Sequence, residues 1–193
     1  MNQRGFFMSN HGNSLPVLAG WLSLPPPKIQ TVDAGKKELT DLYGSRLRVR
    51  VCGICISDNR ILMIRHRSVG PENIFWSPPG GGMEFGENAP AALGREFLEE
   101  TGIVIETGEM LFVNEYIHPP LHAVELFFRI KSFFGLPTAG FDPEFSEQNQ
   151  IIREVRFMTM EEIKALPENQ VHSLFKNCTV MEDVLAIRGY LGG

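Results

Sequence analysis

The stretch that decides the fold runs from Gly81 to Ile103 and reads GGMEFGENAPAALGREFLEETGI. It begins with glycines, continues through a segment rich in helix-forming residues and ends with another glycine before Ile103. Charged side chains are concentrated in its second half, where Arg95-Glu96 is followed closely by Glu99-Glu100. The stretch therefore places several like charges close to a backbone that other groups can approach.

Residues 89–101 are predicted to form a helix. The segment is rich in Ala, Leu and Glu, which favour helices. Pro90 lies near its start, where a missing N–H is harmless. Gly102 lies just past its end, where glycine easily adopts a left-handed cap. The pattern therefore predicts a helix from Ala89 to Thr101.

Three carboxylates share one face of this helix. At about 100° per residue, Glu96, Glu99 and Glu100 fall within an arc of roughly 100° and repel one another. A cation that prefers oxygen ligands, such as Mg²⁺ or Mn²⁺, would neutralise them. Arg95 lies one turn before Glu99 and can also reach Glu87, so we expect it to hold carboxylates by bidentate hydrogen bonds. The alternative is a solvated acidic helix face.

The stretch resembles the complete signature of the Nudix hydrolases. A random window would match the seven fixed positions with a probability on the order of 10⁻⁸ to 10⁻⁹ at average residue usage. The preceding run Pro78-Pro79-Gly80 adds to the resemblance, because glycines let the backbone approach an ion or a phosphate. The seven matching positions are Gly81, Glu87, Arg95, Glu96, Glu99, Glu100 and Gly102.

The resemblance implies metal-dependent hydrolysis of a nucleoside diphosphate linked to another moiety, with water attacking phosphorus. Glu96 and Glu100 are both candidates to accept the proton of that water. The implied catalytic residues are Glu96, Glu100, Arg95 and Glu87, the last two as a supporting salt bridge. The implied metal ligands are the carboxylates of Glu96, Glu99 and Glu100 and a backbone carbonyl of Gly80 or Gly81.

The substrate is less constrained than the reaction. Pro119 lies 16 residues after Ile103, and in the Nudix family a proline near that distance often marks ADP-ribose pyrophosphatases. The same proline also suits an ordinary loop. An ADP-ribose-like substrate is therefore ranked slightly ahead of a (deoxy)nucleoside triphosphate. Two further alternatives are a non-catalytic nucleotide-binding regulatory module and an isomerase of diphosphate lipid precursors.

Several side chains outside the stretch are candidates for substrate contacts, although solvation or core packing explains each of them as well. The basic candidates are Arg46, Arg48, Arg50, Arg65, His66 and Arg67. The aromatic candidates for base stacking are Phe75, Trp76 and Tyr116, and the loop histidines are His118 and His122. An extra metal-binding or catalytic carboxylate is expected from Glu147, and less so from Glu144.

The chain is predicted to be an α/β protein with one domain. Residues 1–44 are predicted to be an irregular N-terminal arm, and residues 45–193 to be a Nudix domain with C-terminal helices. The resemblance implies an α/β/α sandwich with a mixed β-sheet. Alternating or apolar runs predict strands over residues 47–56, 60–64, 110–117, 124–134 and 150–158, followed by short helices at 160–166 and near the C-terminus.

Composition narrows the class of partner. The chain has 193 residues, 43% of them hydrophobic, and a net charge of −5, which argues against nucleic acid and anionic membranes as partners. The expected partner is a small nucleotide. A C-terminal helix with Val180, Val184, Ile187 and Leu191 on one face would pack in the core or in a homodimer.

The three cysteines are too few for a disulfide framework. Cys52 and Cys55 lie three residues apart in a predicted strand, where they would face opposite sides and so cannot form one metal site or redox pair. Buried thiols in a reducing cytoplasm are therefore expected.

Overall fold

The computed structural model describes residues 34–67, 69–70 and 72–192. Short 3-10 helices lie at residues 147–149, 168–170 and 173–175. The helices are α1 (Ala34–Tyr43), α2 (Ala89–Thr101), α3 (Met160–Lys164) and α4 (Met181–Ala186). The strands are β1 (Leu47–Ile54), β2 (Ile56–Ser57), β3 (Arg60–Arg67), β4 (Ile74–Ser77), β5 (Gly80–Gly82), β6 (Val104–His118), β7 (Leu121–Phe134), β8 (Ile152–Met158) and β9 (Gly189–Gly192).

The strands form two sheets. The larger sheet has the order β5-β1-β7-β6-β9 and is mixed, since β1 runs parallel to β7 while β6 and β7 form an antiparallel hairpin. In the smaller sheet β3 pairs antiparallel with β2, β4 and β8. A turn at Asp58-Asn59, both with positive φ, joins β2 to β3 in an antiparallel hairpin.

Helices cover both faces of the strands, as in an α/β/α sandwich. Val51 of β1 packs with Leu93 and Phe97 of α2 in one core cluster. The next residue, Cys52, packs on the opposite face with Ile163 of α3 and residues of α4. Adjacent residues of β1 therefore pack into two different hydrophobic cores, one on each face of the sheet. The predicted fold class is confirmed.

Helix α2 forms with the bounds that the sequence predicts. Asn88 caps its start by accepting a hydrogen bond from the N–H of Ala91 at 3.0 Å. Gly102 ends it in a left-handed conformation with φ 69°. Leu93 and Phe97 are fully buried. Their burial fixes the rotation of the helix and turns its acidic face towards the strand β5.

Two predictions of secondary structure differ from what the structure describes. Within the arm predicted to be irregular, α1 is a helix of 10 residues whose Leu39 is buried. Residues 1–33 lie outside the described residues. At the other end α4 stops at Ala186, and Leu191 belongs to β9 beside β6. The predicted helical stripe from Val180 to Leu191 therefore does not exist.

The prediction that the thiols are buried is confirmed. Cys52, Cys55 and Cys178 are all buried free thiols, and Cys52 and Cys55 belong to different core clusters. Burial raises the pKa of Cys55 to about 12, so this thiol stays protonated. None of the helices in the described part of the chain is long and apolar enough to cross a membrane.

Candidate active site

The glycine strand β5 lets the acidic face of α2 come close to the sheet edge. A Cβ atom on Gly81 would lie 2.2 Å from Cδ of Glu96, so any side chain there would displace that carboxylate. On the neighbouring residue, the N–H of Gly80 donates to Oε2 of Glu100 at 2.8 Å. The sequence Gly80-Gly81 therefore positions two carboxylates of α2 beside one strand.

Arg95 holds the surrounding carboxylates together. Its Nε and Nη2 donate to the two carboxylate oxygens of Glu87, each at 3.1 Å. Its Nη1 donates to Glu96 at 2.9 Å and to Glu99 at 3.1 Å, and Nη2 also donates to the carbonyl of Gly82 at 2.9 Å. One planar guanidinium thus joins three carboxylates and the end of β5, including the predicted bidentate pair with Glu87.

The two carboxylates nearest β5 are held in an environment that opposes their charge. Burial raises the pKa of Glu96 to about 7, although Arg95 works against this. Burial and the neighbouring charge of Glu96 raise the pKa of Glu100 well above its usual range. A cation between these groups would remove both penalties, so their chemistry and burial fit a divalent metal.

The structure does not bring all the implied ligands to one point. Glu99 is turned to Arg95, and no group of three or more His, Cys, Asp or Glu side chains within the described ranges has a geometry that could hold a metal ion. The carbonyl of Gly80 accepts a hydrogen bond from Nη2 of Arg50 at 2.6 Å. Gly81 pairs with Val51 in the ladder between β1 and β5.

A buried polar chain leads away from β5. Arg50, which is bound to the Gly80 carbonyl, also places Nη1 3.7 Å from Oε1 of Glu125. Oε2 of Glu125 lies 2.8 Å from Nε2 of His172 and accepts from Asn114 at 2.9 Å. Burial alone would raise the pKa of Glu125, but these partners hold it at about 2. Glu125 therefore stays ionised inside the protein.

Arg50, Glu125 and His172 line an open cleft of about 780 Å³, a volume that includes its solvent mouth. Phe75 and Tyr116 contribute aromatic rings to its lining, and their centroids are 6.2 Å apart. The cleft also contains buried His66, whose Nε2 lies 3.2 Å from Oγ of Ser77. Burial and the charge of Arg50 lower the pKa of His66 to about 3, so its ring is neutral. At the acidic end the lining residues are Glu96, Glu100, Gly80, Gly81, Arg48 and Arg50.

The structure separates the basic and aromatic candidates. Those that line the cleft are Arg48, Arg50, His66, Phe75, Tyr116 and His122. Trp76 instead lies in the core, with the guanidinium of Arg156 5.3 Å from its ring centroid. Arg65 pairs with Glu154 at 3.2 Å. The other candidates outside the cleft lining are Arg46, Arg67 and His118.

The two glutamates in the loop after β7 differ in whether they line the cleft. Glu144 lines the cleft, whereas Glu147 is exposed at the start of a 3-10 helix and does not. Asp142 lines the cleft as well, and burial raises its pKa. Pro119 lies with Pro120 in the turn between β6 and β7, outside the cleft lining.

Sequence reasoning missed several cleft residues. Glu125 and His172 are 47 positions apart and meet only when β7 packs against the segment after α3. Tyr43 lies in the arm that was predicted to be irregular. Local patterns carry no signal for such long-range pairs, although a glutamate within the apolar run of β7 was an available clue to a buried partner.

Comparisons with known proteins agree with this site. The family model described as the NUDIX domain matches residues 45–176. A MutT-like protein of Streptomyces ambofaciens is 34% identical over 104 residues, covering 53% of this chain and 60% of the relative. An ADP-ribose pyrophosphatase of Methanocaldococcus jannaschii is 33% identical over 101 residues, covering 51% of this chain and 59% of the relative. The matched stretches thus span less than two thirds of either relative.

Solved structures show the same fold. A MutT NUDIX hydrolase from Burkholderia pseudomallei superposes with a TM-score of 0.54 and 25% identity, covering 72% of this chain and 96% of that one. A MutT protein from Methanosarcina mazei Go1 has a TM-score of 0.55 at 15% identity, covering 72% and 91%. Since the family model covers more than half of the chain, this protein belongs to the Nudix family of hydrolases.

Proposed function

We propose that this protein hydrolyses the pyrophosphate bond of a nucleoside diphosphate linked to another moiety. The observation that carries the proposal is the pair of carboxylates, buried Glu100 and partly buried Glu96, that line a cleft beside the glycine strand. Carboxylates held in this way suit a metal-bound pyrophosphate and would repel an anion without a metal. The ADP-ribose-like substrate is ranked first and a (deoxy)nucleoside triphosphate second.

Glu96 and Glu100 would hold the divalent metal, Mg²⁺ or Mn²⁺, with Glu99 adjacent on the same helix face. When bound, the metal would neutralise pyrophosphate charge and lower the pKa of a coordinated water. Other residues of the protein hold these glutamates in position. Arg95 fixes Glu96 and Glu99 in place through its hydrogen bonds, and the N–H of Gly80 fixes Glu100.

Both Glu96 and Glu100 line the cleft, and either of them would serve as the acceptor of a proton from an attacking water. Arg48 and Arg50 supply positive charge at the same end of the cleft. Away from that end, Phe75 and Tyr116 offer aromatic surfaces for a base. The cleft therefore has an end that suits phosphates and a wall that suits a nucleoside.

Two observations support the order of substrates. The relative from Methanocaldococcus jannaschii is named an ADP-ribose pyrophosphatase. Pro119 lies near the position where a proline often marks ADP-ribose pyrophosphatases of the Nudix family. The name of the MutT-like relative keeps a different nucleotide substrate open. The cleft itself favours a nucleotide but does not rank the two.

A panel of substrates tests the proposal. Values of kcat/KM would be measured at fixed Mg²⁺ for ADP-ribose, a sugar nucleotide, a dinucleoside polyphosphate and the common triphosphates. We expect ADP-ribose to be the best substrate. A tenfold preference for a triphosphate, about 1.4 kcal/mol of differential transition-state binding, would reverse the order. Inactivity on every diphosphate with metal demonstrably bound would favour the non-catalytic module instead.

A further inference from the structure

Helix α1 lies outside the part of the chain that matches the Nudix family, yet it forms a wall of the cleft. The family match begins at residue 45, after the helix has ended at Tyr43. Leu39 is buried against Ile64 and Phe145 in a separate core cluster. Leu39 and Tyr43 both line the cleft. This segment is therefore an addition to the common fold that reaches the candidate active site.

The same helix fixes the loop opposite it. Oε1 of Glu38 accepts the N–H of Ser146 at 3.1 Å. Oε2 of Glu38 accepts the side chains of Asn149 at 2.7 Å and of Ser146 at 3.3 Å. The loop so held carries Asp142 and Glu144 into the cleft lining. The wall of the cleft thus consists of α1 and a loop that α1 holds in place.

Between this wall and the acidic end lies Arg48. Its guanidinium carbon is 3.5 Å from the centroid of the Tyr43 ring, a close cation–π contact. Its Nη2 is 3.9 Å from Oε2 of Glu144, which also accepts a hydrogen bond from the Tyr43 hydroxyl. Tyr43 and Glu144 therefore hold the Arg48 side chain from two sides.

The other side of Arg48 faces the site. A Cβ on Gly82 would lie 3.0 Å from its Nη2, so the guanidinium lies against the glycine strand that carries Glu100's hydrogen-bond donor. Within the part of the chain that the structure describes, the N–H groups of Arg48 donate no hydrogen bond, and its polar partners are the Glu144 carboxylate at 3.9 Å and the Tyr43 ring. Its side chain is only 21% exposed. A half-buried guanidinium with unused donors, aimed into a cleft, is suited to an anionic oxygen ligand.

We propose that Arg48 binds a phosphate oxygen of the substrate and that Tyr43 and Glu144 are its positioning residues. Helix α1 then acts as a substrate-binding element that this chain adds to the Nudix core. The inference rests on the proposed function, because it takes the ligand to be a pyrophosphate. It differs from that proposal in assigning binding, and not chemistry, to residues outside the glutamate cluster.

Binding without turnover tests the inference. The dissociation constants of ADP and of a non-hydrolysable methylene analogue of ADP-ribose would be measured by titration calorimetry with Mg²⁺ in a background protein that keeps Glu100. Glu100 is kept because it is a proposed metal ligand, and its loss would weaken nucleotide binding by itself. We expect Arg48→Gln to raise both constants about tenfold or more, equivalent to about 1.4 kcal/mol. Arg46→Gln is the matched control, since it removes a nearby arginine that is exposed and does not line the cleft.

Two changes at Tyr43 separate positioning from simple packing. Tyr43→Leu removes the ring under the guanidinium and should weaken ADP binding by several-fold. Tyr43→Phe keeps the ring and should restore the affinity to within about twofold. In turnover assays, both Arg48→Gln and Tyr43→Leu should act mainly on KM. Thermal unfolding of each variant reports whether α1 remains docked.

The outcomes are distinguishable. Equal affinities in Arg48→Gln and in the background protein would overturn the inference and leave the proposed function standing. An equal loss in Arg46→Gln would also overturn it, because it would show a general effect of net charge. Failure of the unaltered protein to bind either nucleotide would instead refute the proposed function, on which the inference rests.

Discussion

Replacing Gly81 by alanine separates the chemistry of the site from the stability of the fold. The added Cβ would lie 2.2 Å from Cδ and Oε2 of Glu96, whereas ordinary contact begins near 3.4 Å. The carboxylate must therefore move by roughly 1.2 Å. Displacement of a catalytic group by about 1 Å can cost on the order of 100-fold in rate. We expect kcat/KM to fall by about that factor.

The fold should survive this change. The three atoms nearest to the new Cβ all belong to the Glu96 side chain, which can rotate, and none belongs to the backbone. Gly80→Ala should behave differently, because its Cβ would lie 2.1 Å from the carbonyl oxygen of Val51 and its φ is +148°. Gly94→Ala meets nothing within 4 Å and should stabilise α2 by up to about 1 kcal/mol without loss of activity.

The assay combines substrate turnover with thermal unfolding for the three glycine variants. Gly81→Ala is expected to be folded but about 100-fold less active, Gly80→Ala destabilised, and Gly94→Ala active and slightly more stable. Full activity of Gly81→Ala with an unchanged unfolding midpoint would refute the claim that the glycine strand makes room for Glu96.

Three further changes test other parts of the structure. Arg95→Lys should lower activity by about 10–100-fold in a folded protein, since an ammonium cannot replace the planar fork that joins three carboxylates; wild-type kinetics would contradict this. Asn88→Ala should cost about 1 kcal/mol of unfolding free energy by removing the α2 cap, and an unchanged thermal midpoint would show the cap to be dispensable. The pKa of His66 is about 3 in the folded state and near 6.5 in the unfolded state. The contribution of the neutral ring to the free energy of unfolding is therefore complete above pH 6.5 and is lost as the pH falls towards 3. The loss is up to about 1.4 kcal/mol per pH unit. His66→Gln should reduce the dependence of the unfolding free energy on pH in acid denaturation measurements. His118→Gln is the control, because that position is exposed, and it should leave the dependence unchanged. The same pH dependence in the wild type and both variants would count against a neutral buried His66.

The features that could be predicted are those determined by residues that lie close together in the sequence. Helix α2 has its composition, start and end within 14 consecutive residues, and the contact of Arg95 with Glu99 spans a single helical turn. The hairpin at Asp58-Asn59 is also local. Short-range spacing therefore sufficed for helix α2 and for the geometry around Arg95, whereas the α/β/α architecture was implied by the resemblance to the Nudix signature.

Features that depend on long-range packing were missed or misread. Helix α1 is held in position by contacts with residues more than 100 positions away in the sequence, such as the hydrogen bond that Glu38 accepts from Asn149. Leu191 continued an apparent helical period, but pairing with Asn114 of β6 draws it into a strand. Tertiary partners override local periodicity in both cases.

The most direct test of the central claim is the metal dependence of hydrolysis by the wild-type protein and by Glu100→Gln. The substrate would be the best nucleotide diphosphate of the panel, with Mg²⁺ or Mn²⁺ added back after treatment with a chelator. We predict no turnover in excess chelator, recovery with either metal, and at least about 100-fold less turnover in Glu100→Gln, equivalent to roughly 2.7 kcal/mol in the barrier. The variant should remain as stable as the wild type, because the buried charge is removed and an oxygen is kept for the N–H of Gly80. Full activity in excess chelator, or in Glu100→Gln, would contradict the assignment of this cluster as the hydrolytic centre.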